Sequence, residues 1–475
     1  MSPRCQVLPL QKLCCNTVAT QLTQAVCDDE ELDYETLQSY IRDSTYEVLQ
    51  DLLNLVLASC CMDASIRFNC LQLLLREDVK RLETDVFPHN YYENILKTIL
   101  EKGTGLTYLN LKGIWARENL SLLCDIVKGL KKLKTFVVPH IADDQLLNAI
   151  GTYGNLTCLD VSGECSFTSS NLVKFKSQSL KILSIGNFGK KDVCQDEQDS
   201  IETISKLVQN LPNLIALQTF SFTGNALSRV YEKNSNFRTK LEYIHDTLTT
   251  EDTCEAIVKT CPNLKSVYLD TPLKNTLKVL STLKSLHTLK LSKPLYEELM
   301  GYLEKSGYQI QVLKLISVKE NVVDLGEICK NAPNLQTLEC FKMSLTSTKI
   351  DYYFMHLESV DLSYCNTSNF ILRFLLMNSP KLRRLVIGDG IKFNDDDMFR
   401  LCSECELLEL EEVWFASAKC LTLTSVELLM THCPKLKVLG QITEWDINPN
   451  DVNFLKAVIA STNTQLILLS RERIY

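Results

Sequence analysis

Cys402 and Cys405, in the stretch CSEC, carry the spacing of half a structural zinc site. Closing such a site takes two more ligands, and Cys420, His432 and Cys433 are the candidates by sequence. Those three fall in the following repeat, whose own helical pattern already accounts for them, so no metal is expected. The six histidines, His89, His140, His245, His287, His356 and His432, form no ligand pair at helical spacing. The acids of NDDDMF at 394–399 could hold a cation, but acids that open a helix complement its dipole without one. Gly-x-Ser-x-Gly, P-loop and Gly-x-Gly-x-x-Gly patterns are absent. The expectation is a protein with no catalytic residues, no cofactor and no enzymatic activity.

Composition narrows what such a chain would bind. Its 475 residues carry a net charge of −8 and a pI near 5.5. A nucleic-acid binder normally shows a basic excess, and so does a protein held on anionic lipid by a basic patch. Neither partner is expected. No apolar run has the length of a membrane span or the form of a signal peptide. The chain has 20 cysteines, and many sit at apolar pattern positions, as small buried hydrophobes do. A cytoplasmic or nuclear protein with reduced thiols is the expectation.

The elements come from a repeat. LTYLNL, NLTCLDV, SLKILSI, NLKSVYL, SLHTLKL and IQVLKL share apolar first, fourth and sixth positions, anchored at Leu106, Leu156, Leu180, Leu264, Leu286 and Ile310. Further copies start at Leu335, Leu357, Leu382, Leu410 and Leu436, and weaker ones at Leu133, Leu214, Leu241 and Leu466. Their spacing, mostly about 22–28 residues, is the leucine-rich-repeat range. Each copy predicts a short strand turned into the core, then roughly a dozen residues of helical period. Several helices stop at a proline that leads into the next strand, as in LPNL, CPNL, APNL, SPKL and CPKL. The expected fold is α/β: a curved leucine-rich-repeat solenoid of about fifteen repeats, parallel sheet inside and helices outside. It is expected to occupy residues 104–475, after a helical N-terminal module over residues 1–103.

The Cys/Ser/Ala-Pro-Asn/Lys-Leu lead-in, with DLSYCN at 361–366, resembles the cysteine-containing subclass of leucine-rich repeats. That subclass is common in F-box substrate receptors, and the resemblance covers roughly residues 104–470. It implies a protein that binds other proteins and does no chemistry of its own.

The N-terminal module reads as helices. One spans roughly Leu10 to Val26, DDEELD at 28–33 breaks the pattern, and Ser44 with Glu47 forms a capping-box pattern before Val48, Leu49, Leu52, Leu53 and Val56. Further helices are predicted over 68–83 and 91–103. In PLQKLCCNTV, Leu10, Cys14 and Val18 are spaced by four and so share one helical stripe. Pro9, Leu10, Cys14 and Val18 together resemble the BC-box, the elongin-binding motif of certain cullin ligase receptors. The resemblance implies that Leu10 plugs a pocket on elongin C, with Cys14 packing beside it. A cullin box would open on Leu-Pro where this chain has Ser44-Thr45. The same place, Glu47-Val48-Leu49, is similar to the start of an F-box. These resemblances imply a substrate-recognition subunit of a cullin-RING E3 ubiquitin ligase. Its partners would be elongin B/C or an F-box adaptor, a cullin and a target protein. The alternative is a non-ligase scaffold or inhibitor whose N-terminal helices only cap the repeats. A docking helix leaves Leu10 uncovered and is fastened by Leu13 and Leu22, whereas a cap buries Leu10.

Target binding is expected on the concave face, where strand side chains between the core leucines point. The residue between the fourth and sixth positions gives the row Asn110, Asp160, Ser184, Tyr268, Lys290, Lys314, Glu339, Asp361, Val386 and Trp414. Tyr268, Lys290, Lys314, Glu339, Asp361 and Trp414 are its candidate contacts. Trp414 is expected to be exposed, as an aromatic anchor.

Overall fold

A computed structural model describes residues 10–27, 34–59, 62–187, 197–219, 221–319, 322–347, 352–388, 392–462 and 464–469. The acidic break at 28–33 lies outside them. The chain divides into two compact units, with the boundary between His245 and Asp246.

The N-terminal unit opens with helices α1 (Leu10–Cys27), α2 (Tyr34–Arg42), α3 (Tyr46–Leu57) and α4 (Ala64–Leu74). Helix α1 packs on α3 and α4. Seven parallel strands then follow in chain order: Arg81–Glu83, Tyr108–Asn110, Thr135–Val137, Cys158–Glu164, Ile182–Asn187, Ala216–Gln218 and Tyr243–Thr247. Their central residues stack in register as Leu82, Leu109, Phe136, Leu159, Leu183, Leu217 and Ile244, all buried.

The C-terminal unit repeats the plan. Its parallel strands are Ser266–Asp270, Thr288–Ser292, Val312–Ile316, Thr337–Phe341, Ser359–Leu362, Arg384–Ile387, Glu412–Phe415, Val438–Gly440 and Ile467–Leu469. The fourth-position ladder runs Val267, Leu289, Leu313, Leu338, Val360, Leu385, Val413, Leu439 and Leu468, again in register and buried. Short helices connect most of the strands and pack on their neighbours; among the described residues, the connection from Thr337–Phe341 to Ser359–Leu362 instead holds the short strand Ser344–Thr346, which pairs with Val322–Asp324. The architecture is that of a leucine-rich-repeat α/β solenoid with an N-terminal helical module.

Two turns recur in the repeats. Proline follows the helix, and the residue before it closes a tight turn: the amides of Leu264, Leu335, Leu382 and Leu436 donate to the carbonyls of Cys261, Ala332, Ser379 and Cys433. Proline at the second turn position pre-sets that geometry. At the far end of the strand, Leu248, Thr271, Lys293, Ser317 and Lys342 adopt the left-handed conformation, with φ of 50–55°. Four of their amides, from Leu248, Thr271, Lys293 and Ser317, donate to the next repeat at Asp270, Ser292, Ile316 and Phe341.

The expected helix over 68–83 is overturned. Helix α4 ends at Leu74 and a strand of the sheet begins at Arg81, ahead of the first repeat read from the sequence. Leu75, Val79 and Leu82 are all buried, and Arg76 donates to the carbonyls of Ile41 and Arg42. Tertiary burial outweighs the helix propensity of LREDVKRLE. The capping box of Ser44 and Glu47 is not formed either. The residue ahead of α3 is Thr45, whose side chain makes no capping bond.

Leu313→Ala should destabilise the protein by about 2–5 kcal/mol through lost transfer energy and the cavity left behind, read from urea unfolding. A second test concerns the thiols. Burial pushes Cys254 and Cys329 up to about 12, and raises Cys340 well above the ordinary thiol range. At pH 8 a thiol with pKa near 12 is ionised to about one part in ten thousand. Iodoacetamide should therefore leave these three unmodified in the native protein, and label all 20 cysteines after denaturation.

Candidate functional site

Helix α1 has two unlike faces. Cys15, Leu22 and Val26 are buried and fasten it to the bundle. Leu10, Cys14 and Val18 lie on an open stripe: Leu10 is 77% exposed, Val18 is 44% exposed and Cys14 is also exposed. Pro9 lies outside the described residues. Leu13 was expected among the fasteners, but it is 40% exposed and adds to the open stripe, while Cys15 takes its place inside. Lys12 is the helix's sole charged residue. The hydroxyls of Thr17, Thr20 and Thr23 are spent on carbonyls one turn back, at Leu13, Asn16 and Thr20. The stripe is thus apolar and nearly uncharged. Helix α3 has spent its apolar face inside: Leu49, Leu52, Leu53, Val56 and Leu57 are buried.

In the C-terminal unit the strand row is in register: Tyr268, Lys290, Lys314, Glu339, Asp361, Val386, Trp414 and then Gly440. The Lys290 ammonium lies over the Tyr268 ring, 4.1 Å from its centroid. Lys314 pairs with Glu339 at 2.9 Å. Arg384 reaches Asp361 at 3.1 Å and Glu412 at 3.3 Å. Partly solvated pairs of this kind contribute about 0–1 kcal/mol each. Asn110 and Ser184, from the same row in the N-terminal unit, are buried.

Trp414 is not the exposed anchor expected of it. It is 5% exposed, and Val386 beside it is 8% exposed. The indole lies over Gly440, where a Cβ would stand only 2.0 Å from Cε3. Its Nε1 donates to Glu412 Oε1 at 2.6 Å. The missing side chain across the ladder is what admits the ring.

Between the lysines and the next strands lies a depression of about 320 Å³. Lys290, Lys314, Glu339 and Asp361 line it, together with Ile316 and Phe341. The row read from the sequence omitted the last two, which stand two residues further along their strands on the same face. The alternation of Leu313, Lys314, Leu315 and Ile316 was the signal that could have found them. Tyr364 extends the apolar wall, edge-on to Phe341 at 5.2 Å. A larger depression of about 640 Å³, beside the end of α3, is lined by both charged and apolar residues, among them Arg81, Glu83, Asp85, Lys112, Leu57 and Val86.

Among the described residues, no group of three or more His, Cys, Asp or Glu is arranged to hold a metal ion. Cys402 is buried in the helix Asp395–Glu404, and burial raises the pKa of both Cys402 and Cys405. Asn394 and Asp397 cap that helix reciprocally. Asp395 accepts from the amide and hydroxyl of Thr422 in the next repeat. The acids of NDDDMF thus start a helix and fasten a neighbour. What the fold leaves open are the α1 stripe and the depression beside Lys290 and Lys314.

Gly440→Ala should expel the Trp414 ring, lower stability by about 1–3 kcal/mol and shift tryptophan emission to longer wavelength. An unshifted spectrum would contradict the packing described.

No protein-family model matches the chain, and no curated protein matches it. Among solved structures, it is similar to the complex of Rad7 and Elc1 from yeast: TM-score 0.46, 14% identity, covering 98% of this chain and 99% of that one. An internalin, InlF, from Listeria monocytogenes aligns at TM-score 0.33 and 13% identity over 89% of this chain and 94% of its own. CroV588, a circular leucine-rich-repeat protein, aligns at TM-score 0.32 and 12% identity over 71% of this chain and 43% of its own.

Proposed function

We propose that this protein is the substrate-recognition subunit of a cullin-RING ubiquitin ligase in the cytoplasm or nucleus. Helix α1 docks an elongin adaptor, which bridges to a cullin, and the repeats hold the target. The protein performs no chemistry itself. It raises the concentration of the target near the ubiquitin-loaded enzyme. The observation that carries this reading is the open stripe of α1. Leu10, Cys14 and Val18 are apolar residues at the spacing of an elongin-binding helix, and they remain uncovered while Cys15, Leu22 and Val26 of the same helix are packed away. A helix that served only to cap the repeats would gain by burying Leu10, since a fully buried leucine is worth about 1.5–3 kcal/mol.

The double variant Leu10→Ser with Cys14→Ser should lose elongin B/C in pull-down while its melting temperature stays within about 1–2 °C of the parent, because neither side chain packs in the core. Alkylating exposed Cys14 should block the same capture. If the parent binds no elongin and the double variant melts markedly lower, the docking reading fails and the capping role replaces it. Capture of an F-box adaptor instead would move the docking site to α3.

A further inference from the structure

The receptor reading leaves the target unnamed, and one depression in the C-terminal unit narrows its chemistry. We propose that the pocket between Lys290, Lys314, Ile316 and Phe341 is the target-recognition site. Its ligand is an extended peptide segment with a carboxylate side chain and, two residues away, a large apolar one. This inference rests on the receptor reading for its biological role, though not for its geometry.

Charge sets the first half of the ligand. Glu339 is paired with Lys314, and Asp361 is held by Arg384. Neither acid is left to receive a basic ligand. Lys290 stands differently: among the described residues no carboxylate is within ion-pairing distance of it, and its ammonium is held over the Tyr268 ring. Burial lowers its pKa and the neighbouring charge of Lys314 adds to the effect, while the more distant carboxylate of Glu339 opposes it in part. Lys290 and Lys314 are paired across adjacent strands, about 4.8 Å apart at the backbone. Lys314 is occupied by Glu339, so the ligand's carboxylate accepts from the Lys290 ammonium, and the neighbouring charge of Lys314 adds to the attraction.

Spacing sets the second half. Ile316 lies two residues beyond Lys314, about 6.8 Å along the same face of the strand. Phe341 stands across the ladder from Ile316, and Tyr364 packs edge-on to Phe341 while half exposed itself. In an extended peptide, side chains two residues apart also point to one side at about that distance. Lys290 stands level with Lys314 across the ladder, so a segment acidic-x-apolar sets its carboxylate against Lys290 when its apolar side chain enters between Ile316 and Phe341. The pocket, about 320 Å³, has room for one such side chain rather than a helix.

The full-length protein would be titrated against a fluorescein-labelled peptide, Ser-Gly-Glu-Ser-Phe-Ser-Gly. Three variants would carry Gln or Lys for the Glu, or Ala for the Phe. Fluorescence anisotropy should show that Gln weakens binding about tenfold or more, that Lys removes it, and that Ala weakens it about tenfold. Added salt should weaken the Glu peptide but not the Gln peptide. Lys290→Gln and Phe341→Ala should each weaken the parent peptide about tenfold or more, while Lys278→Glu, on an exposed helix position, should not. Lys290→Gln leaves the core untouched, so it guards against misfolding in Phe341→Ala. Equal binding of the Glu and Gln peptides overturns the proposal, and so does no binding of any peptide at about 1 mM. Leu10→Ser with Cys14→Ser should keep peptide binding, and Lys290→Gln should keep elongin capture, so failure of either site is read separately.

Discussion

A strand of three to seven residues cannot stand alone, and that single limit organises the whole protein. Each strand's amides need the carbonyls of the next repeat, and each central apolar side chain needs a neighbour above and below. The fourth-position ladders, from Leu82 to Ile244 and from Val267 to Leu468, satisfy the second need. The left-handed residues after the strands serve the first. A non-glycine residue in that conformation costs about 1–2 kcal/mol. At Leu248, Thr271, Lys293 and Ser317 the cost is offset because the turn aims one more amide at the following repeat, while sending the chain toward its helix. A substitution in one ladder is therefore felt by two neighbouring repeats.

This constraint also decides where function can sit. The fourth and sixth positions are committed to the core, so only the residues between them are free to vary in chemistry. Free to vary does not mean exposed. At Trp414 the side chain is covered, because Gly440 opposite has no side chain and the indole lies over its backbone. At Lys290 the neighbours are Tyr268 and a second lysine, and among the described residues the ammonium joins no ion pair, while Lys314 is paired with Glu339. What separates a filled position from a receptive one is its partner across the strands, which lies some two dozen residues away in the chain.

That distance explains what was legible in the sequence. The period, the fourth-position ladder and the proline turns depend on local spacing, and all appear where spacing puts them. The weak copies at Leu133, Leu214, Leu241 and Leu466 became strands as well. Local signals misled where packing overrode them. The stretch 68–83 reads as a helix, yet the chain leaves α4 at Leu74 so that Val79 and Leu82 can enter the first repeat. Leu13 reads as a fastener, but the bundle meets α1 through Cys15, Leu22 and Val26. The burial of Trp414 depended on a glycine 26 positions later, which no local pattern reveals.

The cysteines connect the two open surfaces to the core by contrast. Inside the repeats the thiol serves as a small apolar group with one weak donor: Cys254 donates to the carbonyl of Thr276 and Cys365 to that of Cys340, each reaching the neighbouring repeat. Burial keeps such thiols protonated, which removes both their charge and their nucleophilicity. Cys14 has the same size and polarity but no cover. On an otherwise nearly uncharged helix face, a thiol beside Leu10 gives a narrow, shallow surface that a partner's apolar pocket can close over without desolvating an ion. Lysine or glutamate at the same place would cost several kcal/mol to bury unpaired. The residue type that fills repeat interiors therefore also suits a surface that is open in the free chain and closed in a complex.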